Sequence, residues 1–130
     1  MNKNKNLNTP KTIDCNSKLL DLSTPSIMGI LNLTDDSFYD GGKHNSVKKA
    51  LLQTEKMLDD GANIIDIGAY SSRPNSIHIS IDEEWQRLEK TLQIINKEFP
   101  YVILSVDTFR SEIAWRSVDN GADIINDISA

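Results

Sequence analysis

Four short apolar runs, each broken off by polar residues at its end, constrain the fold of this chain more than any other feature. IMGIL at 27–31 stops at Asn32, and NIIDIG at 63–68 runs into AYSSRP. VILSV at 102–106 ends at Asp107, and the DII of 123–125 ends at Asn126-Asp127. The runs are apolar on both faces, the mark of parallel strands covered by helices. Helical patterns separate them. A helix is predicted over about 47–60, with Ser46 as its N-cap. Val47, Leu51, Thr54, Met57 and Leu58 share one face, and Gly61 takes the C′ position. A second begins at a capping box, Ser80 with Glu83, carries Trp85, Leu88, Leu92 and Ile95 as its stripe, and is over by Pro100. A third covers about 109–120, with Ile113, Ala114 and Val118 inward. Strands are expected at 27–31, 63–67, 102–106 and 123–127.

GANIIDI at 61–67 returns as GADIIND at 121–127. Two similar helix-to-strand junctions in one α/β fold explain the repeat without gene duplication. Ahead of the first strand, TIDCNSKLLDL alternates around Asn16-Ser17 as a short hairpin does. Residues 1–11, rich in Asn and Lys and without periodicity, are expected to be a disordered arm, and 12–130 the folded domain. Polar residues at every strand end, rather than at one switch point, favour a (β/α)8 barrel over a doubly wound sheet. A barrel takes eight strands in roughly 250 residues, and four strands are legible here. The expected architecture is the first half of a (β/α)8 TIM barrel preceded by a hairpin. Its outer strands are then unpaired edges, which favours self-association.

Composition excludes several classes. The net charge is −5 with the basic residues scattered, which argues against a nucleic-acid or anionic-membrane partner. The single cysteine cannot form an internal disulfide and fits a reducing compartment, so the expected location is cytoplasmic. No apolar run approaches the roughly 20 residues that cross a bilayer, and the polar N-terminus lacks the apolar core of a secretory signal.

The loops after the first two strands are too rich in functional groups for plain connections. IMGILNLTDDSFYDGG resembles the first signature of the dihydropteroate synthase family, and GANIIDIGAYSSRP resembles its second. The SVDT and NDIS strand ends fall where that family has them. The resemblance spans about residues 13–130. It implies an enzyme of folate biosynthesis that joins 6-hydroxymethyl-7,8-dihydropterin diphosphate to p-aminobenzoate, releases pyrophosphate, and is a target of sulfonamides. It also implies a homodimer and Mg²⁺ as the cofactor. Two departures stand out: Thr34-Asp35-Asp36 replaces Thr-Pro-Asp, and Ala69-Tyr70-Ser71-Ser72 replaces Gly-Glu-Ser-Thr. The family's second-half ligands (an Asp, a Lys and an Arg-x-His) are not in these residues, so this stretch alone is expected to be inactive.

By the same resemblance, Asn32 is the metal ligand. One amide suffices because Mg²⁺ leans on phosphate oxygens and water. Asp107 and Asn126 bind the pterin; a carboxylate beside an amide complements an edge bearing N–H donors and an acceptor. Phe38 packs on the aminobenzoate ring, and Ser72, Arg73 and Pro74 line the second loop, with Arg73 offering a planar fork to an anion. Asp40 and Arg73 are the catalytic candidates, Asp40 as stabiliser of a developing pterin cation. Each has a plainer alternative: Asn32 capping the next turn, Asp107 capping the third helix with Thr108, Asn126 in a turn, and Arg73 solvated. Asp66, buried in the second strand, is expected to support the site and Asp127 to be structural. His44 and His78 are expected to be solvated, and Trp85 and Trp115 to be packing residues. A pterin-binding methyltransferase domain shares the strand-end Asp and Asn but has no need of D-S-F-x-D or Ser-Arg-Pro. A non-catalytic pterin-binding half-barrel is the remaining alternative.

Overall fold

The protein is described by a computed structural model covering residues 11–34, 43–71, 74–75 and 77–129, with the side chains of 43–45 excepted. The expected disordered arm, apart from Lys11, lies outside the described residues. So do Phe38, Asp40, Ser72 and Arg73 and the side chain of His44.

Strands β1 (Thr12–Cys15) and β2 (Lys18–Asp21) form the expected hairpin. Asn16 and Ser17 both take positive φ, 54° and 67°, the signature of a two-residue primed turn that matches strand twist. Four parallel strands follow in spatial order β3 (Met28–Asn32), β4 (Ile64–Gly68), β5 (Ile103–Asp107) and β6 (Ile124–Asn126). Between them run α1 (Lys43–Asp59), α2 (Ile81–Glu98) and α3 (Ser111–Asp119). Every strand lies beside its sequence neighbour, so each crossover advances the sheet by one position, as in part of a (β/α)8 barrel.

One face of the sheet carries the main core. Leu31, Ile65, Ile67, Leu104 and Val106 pack there against Leu88, Leu92, Ile95 and Ile113 from the helices. On the other face, Ile64, Ile103 and Ile124 at the lower strand ends meet Cys15 and Leu20 of the hairpin. The hairpin therefore closes the bottom of that face and leaves its top open.

The repeated sequence is one chemical junction used twice. Gly61 and Gly121 have φ of +107° and +106°, where an L side chain is strained. The amides of Gly61 and Ala62 donate to the carbonyls of Leu58 and Met57, and those of Gly121 and Ala122 to Val118 and Ser117. Both α1 and α3 thus end in a Schellman motif. The next residue clamps the neighbouring strand at two points. Asn63 N donates to Ile27 O while its side chain accepts from Ile27 N. Asp123 N donates to Leu104 O while its carboxylate accepts from Leu104 N at 2.9 Å. The Asp123 carboxylate, fully buried, also takes Lys18 Nζ at 2.7 Å and Asn16 Nδ2 at 3.3 Å, fastening the hairpin to the sheet.

Several local expectations change. Helix α1 starts at Lys43, so Ser46 lies inside its first turn, where unbonded N–H groups tolerate polar residues, and not at its N-cap. Ser80 does cap α2, accepting from Glu83 N at 3.1 Å. The reciprocal arm of the box is absent because Glu83 pairs with Arg87 one turn on, at 2.8 Å. In α3 the inward stripe is Ile113 and Ser117, while Val118 is half exposed, since a nine-residue helix presents only a narrow face. Trp85 packs at the core margin as expected, but Trp115 points to solvent, 73% exposed. Strand β3 is not buried on both faces, because Met28 and Ile30 stand on the open side.

Asp123→Ala should cost about 3–5 kcal/mol, because it strands a largely buried lysine and a strand amide. Lys56→Ala, at an exposed i,i+4 pair with Asp60, should cost less than about 0.5 kcal/mol. Urea unfolding of the two variants measures the contrast; equal effects would refute the clamp.

Candidate active site

Parallel register and the two-residue strand period together build the site. Met28 pairs with Ile64 and Ile103, then Ile30 with Asp66 and Ser105, then Asn32 with Gly68 and Asp107. Strand β6 adds Ile124 beside Ser105 and Asn126 beside Asp107. Residues two apart share a face, so these rows stack on the side away from the helices. The bottom row is apolar; the hairpin covers Ile64 and Ile103, while Met28 stays exposed. The middle row holds Asp66 and Ser105, and the top row reads Asn32, Gly68, Asp107, Asn126. Gly68 leaves the space between Asn32 and Asp107 unfilled; a Cβ there would already stand 3.5 Å from that of Asp107.

This polar face has unspent hydrogen-bonding capacity. Asp66 is 4% exposed, and its Oδ2 accepts from Asn126 Nδ2 at a long 3.4 Å. Asp66 Oδ1 and Ser105 Oγ are buried with no partner among the described residues. An unmet buried polar atom costs about 1–3 kcal/mol, so a face that keeps two of them is built to receive donors. The salt bridges among the described residues include neither Asp66 nor Asp107. Burial, first, and the nearby Asp66, Asp127 and Glu84 carboxylates push the Asp107 carboxyl above the usual carboxylate range. Among the described residues, Asn126 is the side chain that donates to Asp66.

Of the expected site residues, the structure brings Asn32, Asp107 and Asn126 together at the strand tips. Asp107 does not cap α3: Arg110 stands at that cap without a side-chain bond, and Thr108 Oγ1 accepts from Arg110 N while donating to Glu84 at 3.0 Å. Asn32 Oδ1 accepts from Thr34 N at 2.9 Å and from the Thr34 hydroxyl, so it does cap the turn that follows. That places a hard oxygen at a strand tip, suited to a cation carried mainly by phosphate and water. Among the described residues no cluster of three His, Cys, Asp or Glu could cage a metal. The exposed Asp127 carboxylate accepts from Ser129 N and Oγ, which holds it below the usual range. Pro74 is exposed beside Asn75, which takes a positive φ of 66°.

The sequence reading passed over Ser105, Gly68, Tyr70, Phe109 and Arg110. Ser105 carries the signal that flagged Asp66, a polar residue inside an apolar run. Phe109 and Tyr70, with Asp107, Thr108, Ile128 and Ser129, line a cavity of about 190 Å³ beside the strand tips. His78 is exposed as expected, and its ring also meets Tyr70 and Arg110.

Residues 28–130 match the family described as pterin binding enzyme. The chain is 52% identical to the Bacillus subtilis dihydropteroate synthase over 102 residues, which is 78% of this chain and 35% of that protein. It is 48% identical to the Haemophilus influenzae dihydropteroate synthase over 115 residues, 88% of this chain and 42% of the relative. A solved Xanthomonas albilineans dihydropteroate synthase with 4-aminobenzoic acid superposes at a TM-score of 0.83 with 36% identity, over 92% of this chain and 44% of that one. A Yersinia pestis dihydropteroate synthase in complex with a sulfonamide drug gives 0.78 and 43%, over 90% and 42%. The chain thus spans less than half the length of these relatives.

The raised Asp107 carboxyl has a signed consequence for stability. A carboxyl whose folded value lies above its unfolded value costs stability while ionised, and the cost vanishes as pH falls through the folded value toward the ordinary one. Asp107→Asn should therefore melt higher than the parent at neutral pH, with the gap closing on acidification. Melting curves from pH 7 downward test this, and a gap that is constant or of opposite sign would contradict it.

Proposed function

Given that this chain belongs to the pterin binding enzyme family, we propose that it supplies the pterin-reading strands of a dihydropteroate synthase. In that reaction 6-hydroxymethyl-7,8-dihydropterin diphosphate condenses with p-aminobenzoate. The observation that carries this reading is the row of Asp107 and Asn126 above Asp66 and Ser105, with open acceptors and, among the described residues, no salt bridge to either carboxylate. A flat heterocycle offering several N–H donors from one edge satisfies such a face. An analogue lacking those donors would leave buried acceptors unpaired and be rejected.

In this account Asp107 accepts ring N–H groups, and Asn126 uses its amide to donate and accept on the same edge. Asn32 would hold a Mg²⁺, whose chemistry there would be to offset negative charge on the diphosphate. Its Oδ1 would do so by releasing the Thr34 hydroxyl. The methylene C–O bond breaks with its electron pair leaving on pyrophosphate. The arylamine nitrogen then forms the C–N bond and releases a proton to solvent or the leaving group. Asp40 would stabilise the cationic pterin, Arg73 the anion, and Phe38, Ser72 and Pro74 the aminobenzoate. No activated nucleophile is required, in keeping with strand tips where the hydrogen bonds among the described residues include no Ser–His or Cys–His pair. The reading extends to competition by sulfonamides, as in the Yersinia complex, to a homodimer, and to a cytoplasmic setting in keeping with the free, buried Cys15.

The test uses the full protein that carries this chain, supplied with both substrates and Mg²⁺. It should form 7,8-dihydropteroate, with sulfonamide competing against p-aminobenzoate. Asp107→Ala and Asn126→Ala should each weaken pterin binding about 10- to 100-fold, the worth of a hydrogen bond involving a charged or buried partner. Absence of product from the unmodified protein would refute the assignment.

A further inference from the structure

Asn126 and Asp107 stand level at the tips of β6 and β5, and Asp66 lies one row lower on β4. Strand β5 separates β4 from β6. The bond from Asn126 Nδ2 to Asp66 Oδ2, at 3.4 Å, therefore crosses β5 between Ser105 and Asp107. Val106, the β5 residue at that crossing, packs into the core on the helix side and leaves the way clear. The backbone of Asn126 is held separately, its carbonyl accepting from Thr108 N at 3.3 Å. What remains to be fixed is the turn of its side-chain amide, whose two ends match in shape and differ in hydrogen-bonding character. A carboxylate only accepts, so Asp66 selects the arrangement with the amide nitrogen toward itself. Asp66 is buried, where water competes little for that bond and the preference is strong.

We propose that Asp66 is a positioning residue that fixes which end of the Asn126 amide is turned to the ligand. The inference rests on the reading of Asp107 and Asn126 as the pterin-binding pair. With one amide proton committed to Asp66, Oδ1 and the second proton are left for the ligand, in a fixed order beside the Asp107 carboxylate. Turned the other way, the amide would set its oxygen against the Asp66 carboxylate and offer the ligand the reverse pattern. A ring edge that matches one order mismatches the other and leaves buried polar groups unpaired. The contribution of Asp66 to selectivity thus passes through Asn126. It also accounts for a buried carboxylate kept between Ile65 and Ile67 with no salt bridge among the described residues.

The experiment compares Asp66→Asn, Asn126→Ala and the double variant with the parent, in the full protein that carries this chain. In Asp66→Asn the new side chain keeps its size but donates as well as accepts, so both arrangements of the Asn126 amide become available. The readouts are calorimetric binding of 6-hydroxymethyl-7,8-dihydropterin diphosphate, KM for both substrates, melting temperature, and nitrogen relaxation of the Asn126 side-chain amide. Asp66→Asn should weaken pterin binding about tenfold, leave KM for p-aminobenzoate within about twofold, and lower the order parameter of the Asn126 amide. The same change made in the Asn126→Ala background should weaken pterin binding less than about twofold. Losing the Asp66 charge also removes one of the carboxylates that push Asp107 upward, which favours an ionised acceptor there and works against the expected loss. Asp66→Ala, which removes the anchor without adding a donor, should act in the same direction and serves if Asp66→Asn does not fold. An equal loss in both backgrounds would mean that Asp66 acts on the ligand directly and would overturn the proposal. So would undiminished pterin binding, an Asn126 amide as rigid as in the parent, or equal losses for both substrates with a lowered melting temperature. A parent protein that forms no 7,8-dihydropteroate would sink the proposed function instead, and the order parameter alone would then decide the positioning role.

Discussion

The site depends on the level at which neighbouring parallel strands pair. Asn32, Gly68, Asp107 and Asn126 form one row only because each strand is in step with the next. A slip of one residue on any strand would turn its polar tip toward the helices and push an aliphatic side chain into the site. The step is set at the opposite end of the sheet. There Asn63 grips both backbone groups of Ile27, and Asp123 grips both backbone groups of Leu104. These clamps follow Schellman turns whose glycines sit at positive φ. The row at the top of the sheet is thus positioned from below, by residues at the opposite ends of the strands.

The layering separates stability from function. On the helix side the sheet is uniformly aliphatic and closed. On the other side it grades from the apolar bottom row under the hairpin, through Asp66 and Ser105, to the acid and amides at the tips. The upper two rows cost the fold something, with unpartnered buried oxygens and three further carboxylates bearing on Asp107. Such groups persist where a ligand rather than the protein completes them. Glu84 shows the other outcome, since Arg110 and Thr108 satisfy it fully and it belongs to the frame of the site.

Much of this was legible in the sequence because strand ends are punctuated by chemistry. Four apolar runs stopping at Asn32, the Gly68-Ala69 turn, Asp107 and Asn126 located the strands to within about a residue, and the hairpin at Asn16-Ser17 was plain from its turn residues. The resemblance supplied roles that periodicity alone could not. What stayed hidden were contacts between elements distant in sequence. Nothing local in SVDTFR says that Arg110 reaches back to Ile79, or that the exposed His78 also bonds Tyr70. The start of α1 was misplaced by taking Ser46 for a cap, because a polar first turn and a cap look alike in sequence. The inward line of α3 was drawn through Val118 on hydrophobicity, where the fold buries the small Ser117.

The most direct test of the account is a crystal structure of the full protein that carries this chain with a pterin bound. The account places the ring above Asp66 and Ser105 with its N–H edge within hydrogen-bond distance, roughly 2.7–3.2 Å, of the Asp107 carboxylate and the Asn126 amide. A pterin bound elsewhere, or one turned so that Asp107 and Asn126 make no hydrogen bond to it, would contradict the claim that the strand-tip row is the reading face.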